Sequence, residues 1–181
     1  NDQRAPMVLR VNSSKISVVD YCAELRAQQI PFALSEPNAA IVLTTPQPAA
    51  SLPGWADGQI AVQELSAQFP ANIVLQNIPP HIDSPVLFDA CCAPGGKLYQ
   101  LHELLCKRYA SHQLVGNDKS PNRLEETLKI GQRLGHSDDR KIVLQNLDAT
   151  VPDATTRESF DVVIVDAPCS GSGTIRRNPD I

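Results

Sequence analysis

The sequence predicts an α/β protein in which a parallel, doubly wound sheet in residues 58–181 follows a small α+β subdomain in residues 1–57. Strand and helix patterns alternate regularly from Val86 onwards, which is typical of parallel sheets with helices on their faces. A connector rich in Pro and Gly, residues 46–59, separates the two parts and is the strongest boundary signal in the chain. The 181 residues suffice for one domain with a small appendage.

The first part is predicted to contain a strand, a helix and a second strand. Met7–Asn12 alternates between apolar and polar residues as a short strand does. Ser17–Gln29 has apolar residues at spacings of three and four behind Ser17, a good N-cap residue, so it predicts a helix. Ala39–Thr45 predicts the second strand. After the connector, a short strand and a helix near Glu64–Leu75 are expected.

The second part is predicted to contain four strands with helices between them. Pro121 and Gly135 mark the start and the end of the second helix. The last strand is fully apolar, as a central parallel strand is expected to be. The predicted strands are Val86–Ala90, Gln113–Asp118, Lys141–Asp148 and Phe160–Pro168, and the helices are Lys97–Tyr109 and Ser120–Gly135.

An aspartate stands at or just after the end of each of these four strands: Asp89, Asp118, Asp148 and Asp166. One such aspartate is ordinary, since Asp favours turns and helix starts. Ligands of open α/β sheets bind beyond the carboxyl ends of the strands. Four aspartates in succession at that edge therefore indicate a ligand site.

The turn "DACCAPGGK", residues 89–97, follows the first of these strands. A phosphate-binding P-loop would need Gly at Cys91 and Ser or Thr at Leu98. A dinucleotide fingerprint would need two glycines that are missing. A tight turn without a ligand is a third interpretation.

A fourth interpretation fits better, because many nucleoside-binding methyltransferases have an acidic residue followed by small residues at every second position. Asp89, Cys91, Ala93 and Gly95 reproduce that spacing. Small side chains let the backbone approach a ligand, and the following helix start would offer N–H groups to a carboxylate. Asp118 would accept hydrogen bonds from ribose hydroxyls, and Asp148 one from an adenine amino group.

Composition limits the function classes. The net charge of −4 argues against binding nucleic acid by charge alone, although a local basic patch stays compatible with it. Five cysteines, an odd number without zinc-finger spacing, predict a reducing, cytoplasmic setting and no metal site. No apolar run has the length of a membrane span, so no membrane association is expected.

The motifs "DACCAPGGK" and "DAPCSGSGTIRRNPDI", and their order, resemble the RNA (cytosine-5) methyltransferases, in particular the bacterial branch that acts on 16S ribosomal RNA. The segments "NDQRAPMVLRVN" and "GQIAVQELSAQ" resemble the region before that family's catalytic core. The resemblance covers essentially the whole chain. It implies a Rossmann-like class I sheet that binds S-adenosylmethionine, of which this chain holds the first half.

The resemblance assigns roles to matching positions. Asp118 would bind the ribose, Asp148 would lie by the adenine, and Asp166 would serve both cofactor and target base. Cys169 would help to release the product. Arg176 and Arg177 are candidates for contacting the RNA backbone. The cofactor loop would comprise Cys91, Cys92, Ala93, Pro94, Gly95, Gly96 and Lys97.

The chain also departs from the family pattern. Cys92 replaces a usual Ala, Leu98 a usual Thr, and Asn117 a usual apolar residue. "LDA" stands for the usual "GDA" or "GDG" around Asp148. None of these changes removes a key functional group.

The implied reaction is methylation of cytosine C5, in which a thiolate first adds to C6 and makes C5 nucleophilic. The family's nucleophile lies in a Thr-Cys-Ser motif that these 181 residues lack, so we expect an inactive internal fragment. Two alternatives stay open: a non-catalytic RNA-binding or assembly module, and a DNA cytosine-5 methyltransferase with Cys169 as nucleophile. The expected partner is 16S ribosomal RNA, and the expected state is a cytoplasmic monomer.

Overall fold

The computed structural model describes residues 6–35, 40–136, 140–151 and 160–168. These residues form two four-stranded sheets, one antiparallel and one parallel. The α/β fold with a preceding small α+β part is therefore confirmed.

The antiparallel sheet is built from β1 (Met7–Val11), β2 (Phe32–Ser35), β3 (Ala40–Leu43) and β4 (Ile60–Val62), in the order β2-β3-β1-β4. The helix α1 (Val18–Ala27) begins at the predicted cap, where the Ser17 hydroxyl accepts a hydrogen bond from the Asp20 amide at 3.1 Å. Tyr21, Cys22 and Leu25 of α1 are buried in one core cluster with apolar strand residues.

The strand β4 lies beyond the predicted boundary at position 57 but pairs with β1 and completes the first sheet. Successive side chains of β4 point to opposite faces of the strand, so β4 packs into both cores. Ile60 belongs to the core of the antiparallel sheet, and Ala61 belongs to the core of the parallel sheet. The boundary itself stays a prediction. The helix α2 (Leu65–Asn77) then leads into the second part.

The parallel sheet has the order β7-β6-β5-β8, formed by β5 (Val86–Asp89), β6 (Gln113–Asn117), β7 (Ile142–Gln145) and β8 (Val162–Ile164). The helix α3 (Gly96–Arg108) follows β5, and α4 (Pro121–Leu134) follows β6. The chain moves from β5 outwards to β7 and then returns to the other side of β5. The strand order thus reverses at β5 and β8, which is where doubly wound sheets bind ligands.

The last predicted strand is present as β8, shorter than the predicted range Phe160–Pro168. In the described part of the chain β8 pairs with β5 alone and forms an edge of the sheet. Val163 and Val165 are accordingly more than half exposed, although the segment has the fully apolar pattern of a central strand.

Polar side chains hold the two sheets together. Asn12, directly after β1, donates from its amide nitrogen to the carbonyls of Gly58 and Leu134 at 3.0 and 3.3 Å. Arg133 of α4 lies 3.7 Å from the ring centroid of Trp55 and donates to the Trp55 carbonyl at 2.9 Å. No helix in the described ranges has the length and apolarity required to cross a bilayer.

Candidate functional site at the carboxyl edge of the parallel sheet

The four predicted aspartates do lie at the carboxyl edge of the parallel sheet. Asp89 ends β5 and Asp118 follows β6 directly, and both are 3% exposed. Asp166 lies two residues beyond β8, and Asp148 three residues beyond β7; both are exposed. The edge therefore combines two buried and two accessible carboxyl groups.

The turn between β5 and α3 depends on Gly95. Its φ of +99° lies in the left-handed region that favours glycine. The turn is tied to the neighbouring strand, since the Cys92 amide donates to the Asn117 carbonyl at 2.8 Å. Gly95 is also the N-cap of α3 and supplies no side-chain hydrogen bond. The first amide groups of α3 are thus left without a side-chain cap and are suited to bind an anionic group.

A pocket of about 220 Å³ opens beside this turn. It brings together seven predicted site residues, namely Cys91, Cys92, Ala93, Pro94, Gly96, Lys97 and Asp166. Asp89 also lines it, whereas Gly95, Asp118 and Asp148 are not among its lining residues.

Three lining residues come from outside the predicted site: Val62 of β4, Gln63 directly after it and Ala67 of α2. The sequence offered one signal for Gln63, a polar side chain next to an apolar strand, in the segment "GQIAVQELSAQ" that resembles the family. The N-terminal sheet thus contributes one wall of the pocket.

The Asp118 carboxylate is held in place by α4. Its Oδ1 accepts a hydrogen bond from the Ser120 amide at 2.9 Å, and its Oδ2 lies 3.0 Å from Nη1 of Arg123. Arg123 also donates from Nη2 to the Ala93 carbonyl at 2.6 Å, which connects Asp118 with the turn. Sequence reasoning missed Arg123. Each oxygen of Asp118 keeps further acceptor capacity for hydroxyl groups.

Burial is the largest of the effects that change the pKa of Asp89. Desolvation, reinforced by the nearby charges of Asp166 and Asp118, raises the pKa of Asp89 from 3.8 to about 6, against a hydrogen bond from the Cys91 amide and the charge of Lys97. At neutral pH the pocket therefore has a buried carboxylate with little hydrogen-bonding support.

The two adjacent cysteines are poor nucleophiles in this setting. Burial, with nearby carboxylates adding to it, raises the pKa of Cys91 above its ordinary value and that of Cys92 to about 12. Both thiols are accordingly protonated at neutral pH, and the thiolate is the reactive form. This agrees with a role for these residues in shaping the turn.

Lys97 and Asp166 form an ion pair across the pocket. Lys97 is the second residue of α3, and Asp166 follows β8, so the pair joins the two strands at which the sheet order reverses. The side chain of Asp166 remains 58% exposed and accessible to a ligand. The predicted residues Cys169, Arg176 and Arg177 lie outside the described residues.

One cluster of metal-ligating side chains occurs in the described ranges, and it lies outside the pocket lining: His102 and Cys106 of α3, with His112. Nδ1 of His102 lies 3.1 Å from Nε2 of His112, and Nε2 of His102 lies 3.5 Å from Sγ of Cys106. The two contacts use different ring nitrogens, which point in different directions. One ligand atom from each of the three side chains lies within 4.8 Å of the other two, and none of the three residues belongs to the predicted site.

Comparisons with known proteins agree with this arrangement. The family model described as 16S rRNA methyltransferase RsmB/F matches residues 76–181, and that of the ferredoxin-like domain of RsmF/B-like methyltransferases matches residues 1–50. Ribosomal RNA small subunit methyltransferase B of Xanthomonas campestris is 38% identical over 180 residues, which cover 98% of this chain and 38% of that protein. The enzyme of the same name from Vibrio vulnificus is 34% identical over 183 residues, 100% of this chain and 40% of that protein.

Two solved structures share the fold. PH0851 superposes with a TM-score of 0.83 at 27% identity, covering 99% of this chain and 39% of that chain. A methyltransferase homolog from Pyrococcus horikoshii superposes with a TM-score of 0.74 at 30% identity, covering 97% of this chain and 54% of that chain. The chain spans about two fifths of the length of the curated relatives described above.

Proposed function

Because the chain belongs to the RsmB/F family of 16S rRNA methyltransferases, we propose that its strand-edge pocket binds S-adenosylmethionine in a protein that methylates cytosine C5 of 16S ribosomal RNA. One observation carries the binding proposal: the small-residue turn and the uncapped start of α3 line the pocket, and the buried Asp118 lies at the same sheet edge, connected with the turn through Arg123.

The residues of this edge suit the two ends of the cofactor. The amide groups at the start of α3 would bind its carboxylate. Asp118, with acceptor capacity left on both oxygens, would receive its ribose hydroxyls. Asp148, which is exposed and hydrogen-bonded to Thr150 at 2.6 Å, is proposed to lie by the adenine.

The chemistry of the site follows from the charged groups around the pocket. S-adenosylmethionine supplies the methyl group. The Lys97 ammonium holds the Asp166 carboxyl group at the pocket, where Asp166 would hydrogen-bond the base edge near N3 and stabilise the charge that develops there. Cys169 would assist release of the methylated base, and Arg176 and Arg177 would contact the RNA backbone.

The 181 residues contain no Thr-Cys-Ser sequence. Since the proposed mechanism needs a thiolate that adds to C6, we propose that this chain by itself binds the cofactor without turnover. The whole protein is proposed to be cytoplasmic and monomeric. Sedimentation of the purified protein would check the monomeric state.

Calorimetry with S-adenosylmethionine tests the binding proposal. Asp118→Ala should weaken binding at least about tenfold, because hydrogen bonds to a charged group are lost. Glu126→Ala removes the same charge from an exposed position of α4 and should bind like the unchanged chain. The proposal fails if the unchanged chain does not bind the cofactor.

A binding comparison between 16S-derived RNA and DNA of the same sequence separates the alternatives. Preference for RNA together with cofactor binding supports the proposal. RNA binding without cofactor binding would favour a non-catalytic RNA-binding module, and a covalent adduct between Cys169 and DNA would favour a DNA methyltransferase.

A further inference from the structure

Gln63 joins the antiparallel sheet to the pocket. It follows β4 directly, is 7% exposed and lines the pocket. Its Cδ atom would lie 3.8 Å from a Cβ added at Gly96, the first residue of α3. Gln63 therefore faces the end of the pocket at which α3 begins.

The orientation of the Gln63 amide is fixed by its hydrogen bonds. Nε of Arg10 donates to Oε1 of Gln63 at 2.7 Å. Nε2 of Gln63 donates to the Ala67 carbonyl at 2.9 Å and to Oε1 of Gln100 at 3.0 Å. Arginine has no acceptor, so the atom facing it must be the oxygen. Both amide hydrogens are used, whereas Oε1 can accept one more hydrogen bond.

Arg10 is held as firmly as Gln63. It lies in β1, is 5% exposed, and pairs through Nη1 with the buried Glu103 of α3. Its Nη2 is buried and has no hydrogen-bond partner in the described part of the chain. Buried donors of this kind are rare, because an unmade hydrogen bond is costly. The arrangement fixes the Gln63 oxygen even though one donor of Arg10 stays unused.

We propose that Oε1 of Gln63 accepts a hydrogen bond from the ammonium group at the amino-acid end of S-adenosylmethionine, and that Arg10 is the positioning residue that directs this oxygen. The inference rests on the proposed function. A free acceptor near the start of α3 suits that end, since the helix amides would take the adjoining carboxylate. The antiparallel sheet is then part of the cofactor site.

The test compares two ligands, of which the second lacks the amino-acid end and, as a neutral thioether, also lacks the sulfonium charge. Gln63→Leu should weaken the binding of S-adenosylmethionine at least about tenfold and leave that of 5′-methylthioadenosine, which lacks that end, within about twofold. Arg10→Met should show the same selectivity. Gln68→Leu is the matched control. Gln68 is 3% exposed, and its Nε2 donates a hydrogen bond to the Gln63 backbone carbonyl at 2.9 Å. It belongs to the same polar cluster but does not line the pocket.

The outcomes distinguish the two proposals. If the unchanged chain binds S-adenosylmethionine and Gln63→Leu binds it equally well, the inference is wrong and the proposed function stands. Equal losses for both ligands, or the same selectivity in Gln68→Leu, also overturn it. Failure of the unchanged chain to bind either ligand overturns both proposals. If Gln63→Leu does not fold, as judged by circular dichroism, Gln63→Asn is measured, and its shorter side chain should show the same selectivity.

Discussion

Lys97 at the start of α3 forms an ion pair with Asp166, which follows β8. The two residues are 69 positions apart in the sequence, and the pair closes one side of the pocket. It is accessible to water, with side chains 27% and 58% exposed. Exposed pairs of this kind contribute about 1 kcal/mol or less to stability.

We expect Lys97→Met to lower the free energy of unfolding by no more than about 1 kcal/mol. The difference from the unchanged chain should shrink as salt is added, because exposed charges are screened. Urea unfolding at low and high ionic strength measures both effects. A loss of several kcal/mol would show that the pair supports the fold as well as the site.

Breaking the buried pair of Arg10 and Glu103 should lower the free energy of unfolding far more than breaking the exposed pair of Lys97 and Asp166. Glu103→Gln leaves a buried guanidinium without its carboxylate, and breaking a buried pair costs about 3 to 5 kcal/mol. The side chains of the two residues are 5% and 2% exposed, so water cannot replace the lost partner. The same urea measurement, with Lys97→Met as the surface control, checks the contrast.

A double variant sharpens this prediction. Arg10→Met combined with Glu103→Gln removes the unpaired charge, so it should be more stable than the sum of the two single losses implies. Strict additivity, or a loss below about 1 kcal/mol for Glu103→Gln, would contradict the interpretation of Arg10 and Glu103 as a buried ion pair.

The raised pKa of Asp89 predicts how stability depends on pH. The folded chain binds this proton more tightly than the unfolded chain does, with pKa values of about 6 and 3.8. The stabilisation is complete below pH 3.8, falls as the pH rises towards 6, and is absent above it. The difference between the two pKa values corresponds to about 3 kcal/mol.

Asp89→Asn tests this dependence, because asparagine does not titrate. The free energy of unfolding of the variant, minus that of the unchanged chain, should rise between pH 4 and pH 6.5. Asp148→Asn is the control, since hydrogen bonds from Thr150 lower the pKa of the exposed Asp148 and its difference should not rise. A flat difference for Asp89→Asn would contradict the raised pKa.

Much of the parallel sheet could be predicted because its signals are local. The start of α4 at Pro121 and its left-handed end at Gly135 are confirmed. Ser120, the first residue of the predicted helix range, is the N-cap of α4 but makes no capping hydrogen bond with its side chain. The edge strand β2 was missed, since Phe32–Ser35 is short and follows a proline.

The missed site residues share a different cause. Arg123 reaches Ala93 across 30 positions, and Arg10 reaches Gln63 across 53. A single arginine on a helix or strand carries no periodic signal, and its partner is decided by how distant segments pack. The turn could be found from its own residues, whereas the side chains that fix it could be identified only in the folded chain.

The turn itself offers the last prediction, Gly95→Ala. A Cβ at Gly95 would lie 2.7 Å from Cε2 of Tyr99 and 2.9 Å from Cγ2 of Thr127, at a φ of +99°. The ring of Tyr99 cannot easily retreat, because its hydroxyl donates to the Thr127 carbonyl at 2.8 Å. The variant should lose about 2 kcal/mol or more of unfolding free energy.

Gly96→Ala is the matched control for Gly95→Ala, one residue further along the chain. Its Cβ would meet only Gln63, at 3.8 Å, and its backbone is helical, so alanine should preserve or slightly raise the stability. It would nevertheless narrow the pocket beside Gln63. Urea unfolding should therefore show that Gly95→Ala impairs the fold. Urea unfolding together with calorimetry should show that Gly96→Ala weakens cofactor binding alone. Equal losses of stability in the two variants would contradict the different roles of the two glycines.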